Sequence, residues 1–282
     1  MLFTPLKPML LHKSATPPAG DYIHHLKYDG FRCLLHVGSG GKTKLYTRQQ
    51  NDCTLNFPEF AGVGLPAGTI LDGEMVALGD DGKPIFEDVM NRLKSRRGQH
   101  RQPVHFAAFD LLMLGGKSIM HEPLETRLAA LLELLAEPTE LLSAVQSAED
   151  GEGLFEAVKR LGLEGIVSKK KGSRYTLDHR SPDWIKVKNY QYAVVSIAGI
   201  RKSEFAWLLQ NTDGSYAGIC ELVPPKERAA FYQVAQQLIR SEDKHWLYLD
   251  PRIQCQVKFQ CYTKGGLLRT PSFVEFIFPK SA

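Results

Sequence analysis

The last third of the chain most restricts what it can fold into. From Tyr192 onward the segments AVVSIAGI, FAWLLQN, YAGICEL, IQCQVKFQCYT and FVEFIF are strand-like, broken by one amphipathic helix in KERAAFYQVAQQLIR. Five strands and one helix are what a small Greek-key barrel of the OB type requires. The preceding chain reads differently. FRCLLHV, KLYTRQ and TILDGEMVAL read as strands joined in hairpins, and IFEDVMNRLKSRR and LETRLAALLELLA carry helical spacing, with a buried strand, VHFAAFDLLML, between those helices. LFEAVKRLG is a short helix stopped by Gly162, and the strands EGIVSKK and DWIKVKN follow it. The pattern predicts an α+β domain over 1–189 and an all-β domain over 190–282.

With 282 residues, 43% of them hydrophobic, each domain has enough apolar side chains for its own core. The net charge of +4 permits an anionic partner without identifying one. Its distribution says more. Residues 190–282 carry eleven Lys/Arg against eight Asp/Glu, and residues 156–188 carry nine against four, so a polyanion could dock on the second half. The five cysteines, Cys33, Cys53, Cys220, Cys255 and Cys261, are odd in number and form no CxxC pair. Neither a zinc cluster nor a disulfide framework is indicated, and a reducing cytosol fits. The N-terminal MLFTPLKPMLLHK is interrupted by proline and lysine too often for a signal-peptide core, and no run is long enough to span a membrane.

Several short patterns could carry chemistry. In HLKYDGFR, Lys27 and Asp29 project on one face of an extended chain and Gly30 lets the backbone turn. A solvated surface lysine looks the same. A nucleophilic lysine needs desolvation or neighbouring cations to lose its proton. In LDGEMVAL, Ile70, Asp72, Glu74 and Val76 share a strand face, so two carboxylates stand among apolar neighbours as solvated edge groups, hydrogen-bond acceptors or metal ligands. In WIKVK, Lys186 and Lys188 share a face while Ile185 and Val187 take the other. Two such lysines repel across roughly 7 Å, and an anion between them would turn repulsion into attraction. An amphipathic edge strand has the same pattern. EGIVSKKKGSRY places Glu164 after a helix-stopping glycine and before a lysine cluster, and KSRRGQHR (94–101) reads as a solvated turn with phosphate contact as the lesser reading. Phe109 reads as core unless a purine pocket lies beside it.

The order of these pieces resembles the covalent nucleotidyltransferase superfamily, and within it the compact ATP-dependent DNA ligases of bacteria and their viruses. KYDGFR, LDGEMVAL, FAAFDLLMLGG, LEGIVSKKKGSRY, SPDWIKVK and GGLLRTPSF are similar to the ligase module of bacterial end-joining ligases, over nearly the whole chain. The resemblance implies a nucleotidyltransferase domain of ATP-grasp-like antiparallel sheets with helices, followed by an OB-fold barrel that moves between steps. It also implies roles. Lys27 would attack the α-phosphate of ATP and carry AMP, and Asp29 would support that lysine and a metal. Arg32 and Arg48 would contact phosphate or the nicked strand, Glu74 the ribose or a metal, and Phe109 would stack on adenine. Glu164 would be a metal carboxylate for Mg2+ or Mn2+, while Lys186 and Lys188 would hold the α-phosphate and lower the pKa of Lys27.

Two departures from the family pattern stand out. Where many relatives have an acidic residue facing adenine, two positions before the nucleophile, this chain has His25. Where the family's barrel usually ends in a basic-x-Asp-Lys element, this chain ends FVEFIFPKSA, leaving Lys280 to substitute. The expectation is a cytoplasmic, nucleoid-associated monomer that acts on nicked duplex DNA in repair, recombination or replication, with a Ku-like end-binding partner as a possible recruiter. With no further DNA-binding domain expected outside 1–282, the two domains would grip DNA themselves, mainly through phosphates. The rivals are an RNA ligase or capping guanylyltransferase of the same superfamily, or a catalytically impaired nucleic-acid-binding protein.

Overall fold

The computed structural model describes residues 3–95 and 102–278. The chain divides into two compact units, Met1–Asn189 and Tyr190–Ala282, and each encloses its own apolar core. Lys280 and residues 96–101 of KSRRGQHR lie outside the described residues. Among the described residues no helix is long and apolar enough to cross a membrane.

The first unit is built on two sheets. One runs in the order β1 (Leu10–Ser14), β11 (Arg180–Lys188), β10 (Gly165–Lys170), β2 (Tyr22–Leu26), β9 (Ser147–Ala148). The other runs β4 (Thr43–Thr47), β3 (Phe31–Val37), β5 (Thr69–Val76), β6 (His105–Leu114), β7 (Lys117–Ser118), with β8 (Leu142–Ala144) beside β6. Pairing is antiparallel except at β1–β11 and β6–β8, which are parallel. Among the described residues three α-helices pack on this unit: α1 (Phe86–Lys94), α2 (Leu124–Leu134) and α3 (Gly151–Leu161). Helix α3 starts a turn earlier than its apolar residues suggest, because the Asp150 carboxylate accepts from the Gly153 amide at 2.9 Å. It ends where Gly162 turns left-handed, with φ 66°.

Strand register in the first sheet sorts its side chains. Leu26, Ile166 and Val187 face α3 and pack with Phe155 and Val158. The alternation of period two then sends His25, Val167, Lys169, Trp184, Lys186 and Lys188 to the other face. His25 lies opposite Val167, Val167 opposite Lys186, and Lys186 opposite Lys13, a row across four strands.

In the second sheet β5 is central, its neighbours filling the core with Leu34, Leu35, Ile70, Leu71, Met75, Phe106 and Leu111. Its pairing with β6 slips once beside the site. Asp72 pairs with Asp110 and Gly73 with Ala108, leaving Phe109 as the extra residue of a bulge. A bulge re-aims the side chain it carries, and Phe109 is only partly buried between buried neighbours Ala108 and Asp110. Behind it, Asp110 and Arg127 form a fully buried pair, Nε to Oδ1 at 2.8 Å and Nη2 to Oδ2 at 3.0 Å. Arg127 Nη1 also donates to the carbonyls of Glu122 and Ser173, tying β6 to the start of α2 and the loop after β10.

The second unit contains β12 (Gln191–Arg201), β13 (Trp207–Gln210), β14 (Tyr216–Cys220), α4 (Pro225–Ala235), β15 (Ile239–Glu242), β16 (Trp246–Leu249), β17 (Gln254–Phe259) and β18 (Ser272–Ile277). The long β12 pairs with β13 on one edge and β17 on the other, β13 continues to β14, and β17 to β18. A parallel bridge between Leu222 and Ser272 closes the ring of five strands, with the Phe273 amide donating to the Leu222 carbonyl at 2.9 Å. Closure removes the free edges, and this strand order is that of an OB barrel. Trp207 centres its core, 4.8 Å from Phe231 and 5.7 Å from Phe273 between ring centroids.

Two expectations for this unit need correction. It contains seven strands among the described residues rather than five, and the helix expected over KERAAFYQVAQQLIR stops at Ala235. The chain then forms β15, whose four residues are all exposed. A strand with every side chain exposed carries no apolar alternation to read.

Replacing Asp110 with alanine strands the Arg127 charge inside the protein. Urea unfolding of D110A is expected to show a loss of about 3–5 kcal/mol.

Candidate active site

Two glycines bring the reactive groups together. A Cβ on Gly30 would lie 2.1 Å from the Met75 carbonyl oxygen, so only glycine lets the chain after Lys27 pass this close to β5. A Cβ on Gly165, whose φ is +154°, would lie 2.1 Å from the Val187 carbonyl oxygen. That close approach clamps the start of β10 to the end of β11. The clamp is reinforced by the Asn189 amide donating to the Glu164 carbonyl at 2.8 Å and the Lys27 amide donating to the Gly165 carbonyl at 2.9 Å. The Glu164 carboxylate consequently sits between two lysines. Lys27 Nζ donates to Oε2 at 2.7 Å, and Lys188 Nζ lies 3.2 Å from Oε1.

This arrangement corrects the expected charge on Lys27. Burial pulls the pKa of its ammonium down, but the Glu164 carboxylate, with help from Glu74 and Asp29, outweighs burial and raises it. Of the β11 lysines, Lys188 shares the Glu164 carboxylate with Lys27. On β11 it is Lys186 whose pKa falls, through burial and then the charges of Lys188, Lys27, Arg180 and Arg48. Arg48, exposed at the end of β4, therefore belongs to the same positive field, together with Arg180, which sequence reading passed over.

Arg32 is also placed differently from expectation. Its guanidinium grips Asp72 through Nε at 2.9 Å and Nη2 at 2.5 Å, and donates to the Met9 carbonyl at 2.6 Å and the Tyr175 hydroxyl at 3.2 Å. A fork committed in this way to a fully buried carboxylate is a structural clamp under the site rather than a free phosphate ligand. Tyr175 completes it by donating to Asp72 at 2.6 Å. The strand face that carries Asp72 and Glu74 thus splits its duties: Asp72 holds Arg32, and Glu74 stands near Lys27.

A pocket opens beside Lys27, lined by Leu11, His25, Leu26, Tyr28, Arg32, Glu74, Phe109, Val167, Lys169 and Trp184. The bulged Phe109 forms part of its wall, and Val167 lies on the face of β10 that also carries Lys169. Lys186 and Lys188 stand on the neighbouring strand, outside the lining. Lys169 was missed by sequence reading, where it passed as one of a solvated KKK run. It is almost wholly buried, donates to the Phe109 carbonyl at 2.6 Å, and holds its ammonium 4.7 Å from the Phe109 ring centroid and 4.1 Å from that of Trp184. Such contacts on two aromatic faces partly replace water. Burial nevertheless brings its pKa down to about 7, Asp110 opposing that shift and Arg127 and Arg32 adding to it. The signal was parity: Lys169 is two residues from Val167 on a strand.

The three carboxylates expected to share a metal do not form a ready-made cation site. Among the described residues no group of three or more His, Cys, Asp or Glu is disposed to hold an ion. Glu164 is turned to the lysines instead. Glu74, however, is short of positive charge: burial raises its pKa to about 8, with Glu164 and Asp72 adding to the rise while Lys27 and Arg32 oppose it. A buried carboxylate of this kind suits a cation that arrives with other ligands, as Mg2+ does with phosphate oxygens.

Fold and site together define a nucleotidyltransferase-type ligase fold: two curled sheets around a lysine-centred pocket, joined in sequence to an OB barrel. The family signature of the ATP dependent DNA ligase domain matches residues 8–188. The SPbeta prophage-derived DNA ligase-like protein LigB of Bacillus subtilis is 38% identical over 95% of this chain and 97% of its own length. The multifunctional non-homologous end joining protein LigD of Pseudomonas aeruginosa is 30% identical over 95% of this chain, which spans 35% of that protein. Among solved structures, a mycobacterial DNA ligase D complexed with ATP and MES matches with a TM-score of 0.61 and 26% identity, covering 100% of this chain and 97% of that one. A Lig E DNA ligase, at 21% identity, shares the fold with a TM-score of 0.68, over 96% of this chain and 98% of its own. The chain belongs to the ATP-dependent DNA ligase family.

Two outcomes test the electrostatics. Glu164→Gln removes the charge that keeps Lys27 protonated, so in the nucleotide-free protein the pH midpoint for labelling Lys27 with an amine reagent, read by peptide mass spectrometry, should fall. For Lys169, the folded-state pKa lies below the ordinary 10.5, so between about pH 7 and 10.5 the unfolded chain binds the extra proton and stability rises with pH. Lys169→Met should abolish that rise, worth up to about 1.4 kcal/mol per pH unit in denaturant titrations.

Proposed function

We propose that this protein seals nicks in duplex DNA that carry a 5′-phosphate and a 3′-hydroxyl, through an AMP covalently held on Lys27. The observation that carries this reading is the Lys27–Glu164–Lys188 cluster beside a pocket walled by Phe109 and Trp184. In the first step the Lys27 amine, once free of its proton, attacks the α-phosphorus of ATP. A nitrogen–phosphorus bond forms as the bond to pyrophosphate breaks. A 5′-phosphate oxygen of the nick then takes the AMP and releases Lys27, and finally the 3′-hydroxyl displaces AMP to close the backbone. All three steps are displacements at phosphorus, so one positively charged pocket can serve each by positioning and neutralising charge.

Lys186, with Lys188, is assigned to the α-phosphate, and Arg48 and Arg180 extend that field towards the DNA backbone. Phe109 is assigned to the adenine ring. Asp29, Glu74 and Glu164 are the groups that would hold Mg2+ or Mn2+, which when bound would neutralise phosphate charge and draw Glu164 away from Lys27. The raised pKa of Lys27 means that its amine is held as an ammonium until nucleotide and cation draw the Glu164 charge away.

The first unit is assigned to adenylation, and the second to DNA binding, where eleven Lys/Arg lie in residues 190–282. Binding mainly through phosphates should weaken steeply with salt. We place the protein at the nucleoid in the cytoplasm as a monomer, and the likeness to end-joining LigD supports recruitment by a Ku-like end-binding protein.

The test is direct. Incubation with ATP and magnesium should add the mass of one AMP, mapped to Lys27, and nicked DNA should remove it while sealed product appears. Lys27→Ala should lose both. An adduct on another residue, or sealing by Lys27→Ala, would overturn the assignment.

A further inference from the structure

Two side chains that line the pocket beside Lys27 each carry a buried polar atom without a partner, His25 Nδ1 and Trp184 Nε1. Both side chains are about 1% exposed. An unpaired buried polar group costs roughly 1–3 kcal/mol, so two of them in one pocket point to a ligand that completes them. The other unpaired atoms of this unit, on His36, Gln102 and Ser173, do not line it.

The two groups differ in kind. An indole N–H only donates, which suits a ring nitrogen present in every purine. The imidazole can do either. Its Nε2 lies 3.0 Å from the Ser147 hydroxyl, and a hydroxyl both donates and accepts. If Ser147 donates, Nε2 is bare and Nδ1 carries the hydrogen; if Ser147 accepts, Nδ1 offers a lone pair. Burial, then the neighbouring Lys169 and His24, hold the ring neutral, so both tautomers are available.

We propose that the His25–Ser147 pair reads the 6-position of the purine as a reversible donor or acceptor, so that the site takes 6-oxo purine nucleoside triphosphates as well as ATP. The 6-amino group of adenine meets the accepting tautomer and a 6-oxo group the donating one. A carboxylate at position 25 could only accept, and would face a 6-oxo group lone pair to lone pair. This inference rests on Lys27 being the residue that receives the nucleotide.

The test compares ATP with inosine triphosphate, which differs from it only at the 6-position and the adjoining ring nitrogen, and with purine riboside triphosphate, which has no 6-substituent. Mass spectrometry of the native protein should show AMP and IMP adducts forming on Lys27 at rates within about tenfold of each other, and a slower reaction with purine riboside triphosphate. His25→Glu should widen the ratio of ATP to inosine triphosphate by about a thousandfold, and His25→Gln, whose amide can turn either way, should keep it narrow. Binding of the three nucleotides to Lys27→Ala, followed by tryptophan fluorescence, reads the same selectivity without a covalent step. Exclusion of inosine triphosphate by the native protein, or equal use of purine riboside triphosphate, would overturn the proposal. Failure of adduct formation with normal binding selectivity would instead overturn the role of Lys27.

Discussion

Glu164 stands between Lys27 and Lys188 with one carboxylate oxygen for each, and the rest of the site depends on that bridge. Lys27, just past the end of β2, and Lys188, at the end of β11, repel, and a buried carboxylate between them makes their proximity tolerable. The bridge also determines how reactive the site is at rest, since an ammonium gripped by a carboxylate is no nucleophile. The geometry is enforced from the backbone outward, through Gly165 against Val187 and Gly30 against Met75, where no side chain fits. A site held by backbone contact needs little reorganisation when its ligand binds.

Beneath the pocket, charge is used for construction rather than chemistry. Asp72 with Arg32 and Tyr175, and Asp110 with Arg127, are buried pairs whose remaining donors are spent on main-chain carbonyls and a hydroxyl. They fix β5 and β6 on either side of the bulge that turns Phe109 towards the pocket. Lys169 grips the Phe109 carbonyl from the other sheet, so the aromatic wall is held from two directions. Such pairs add little net stability once desolvation is counted, but they strongly oppose any arrangement that would strand one charge alone. Their effect is to make one pocket geometry the cheap one.

Much of this could be read from the chain, for identifiable reasons. The opposed faces of WIKVK follow from the period of a strand, and the structure packs Ile185 and Val187 against the α3 layer while Lys186 and Lys188 face away from it. The OB barrel was legible because its five strands each carry a buried face. What escaped had no local signature. The β15 strand buries no side chain, the bulge at Phe109 is a mismatch between two strands, and Arg32 looked like a phosphate ligand because its partner Asp72 is forty residues away.

The sequence by itself determined which residues share a strand face, that α3 stops at Gly162, and that the chain carries the ordered motifs of a nucleotidyltransferase, since these depend on spacing along one strand or helix. Only the tertiary structure decided the charge on Lys27, the clamp made by Arg32, the burial of Lys169 and the unpaired nitrogen of His25. Protonation and hydrogen-bond satisfaction depend on what the other strands bring within a few ångströms. No spacing within a single segment carries that information.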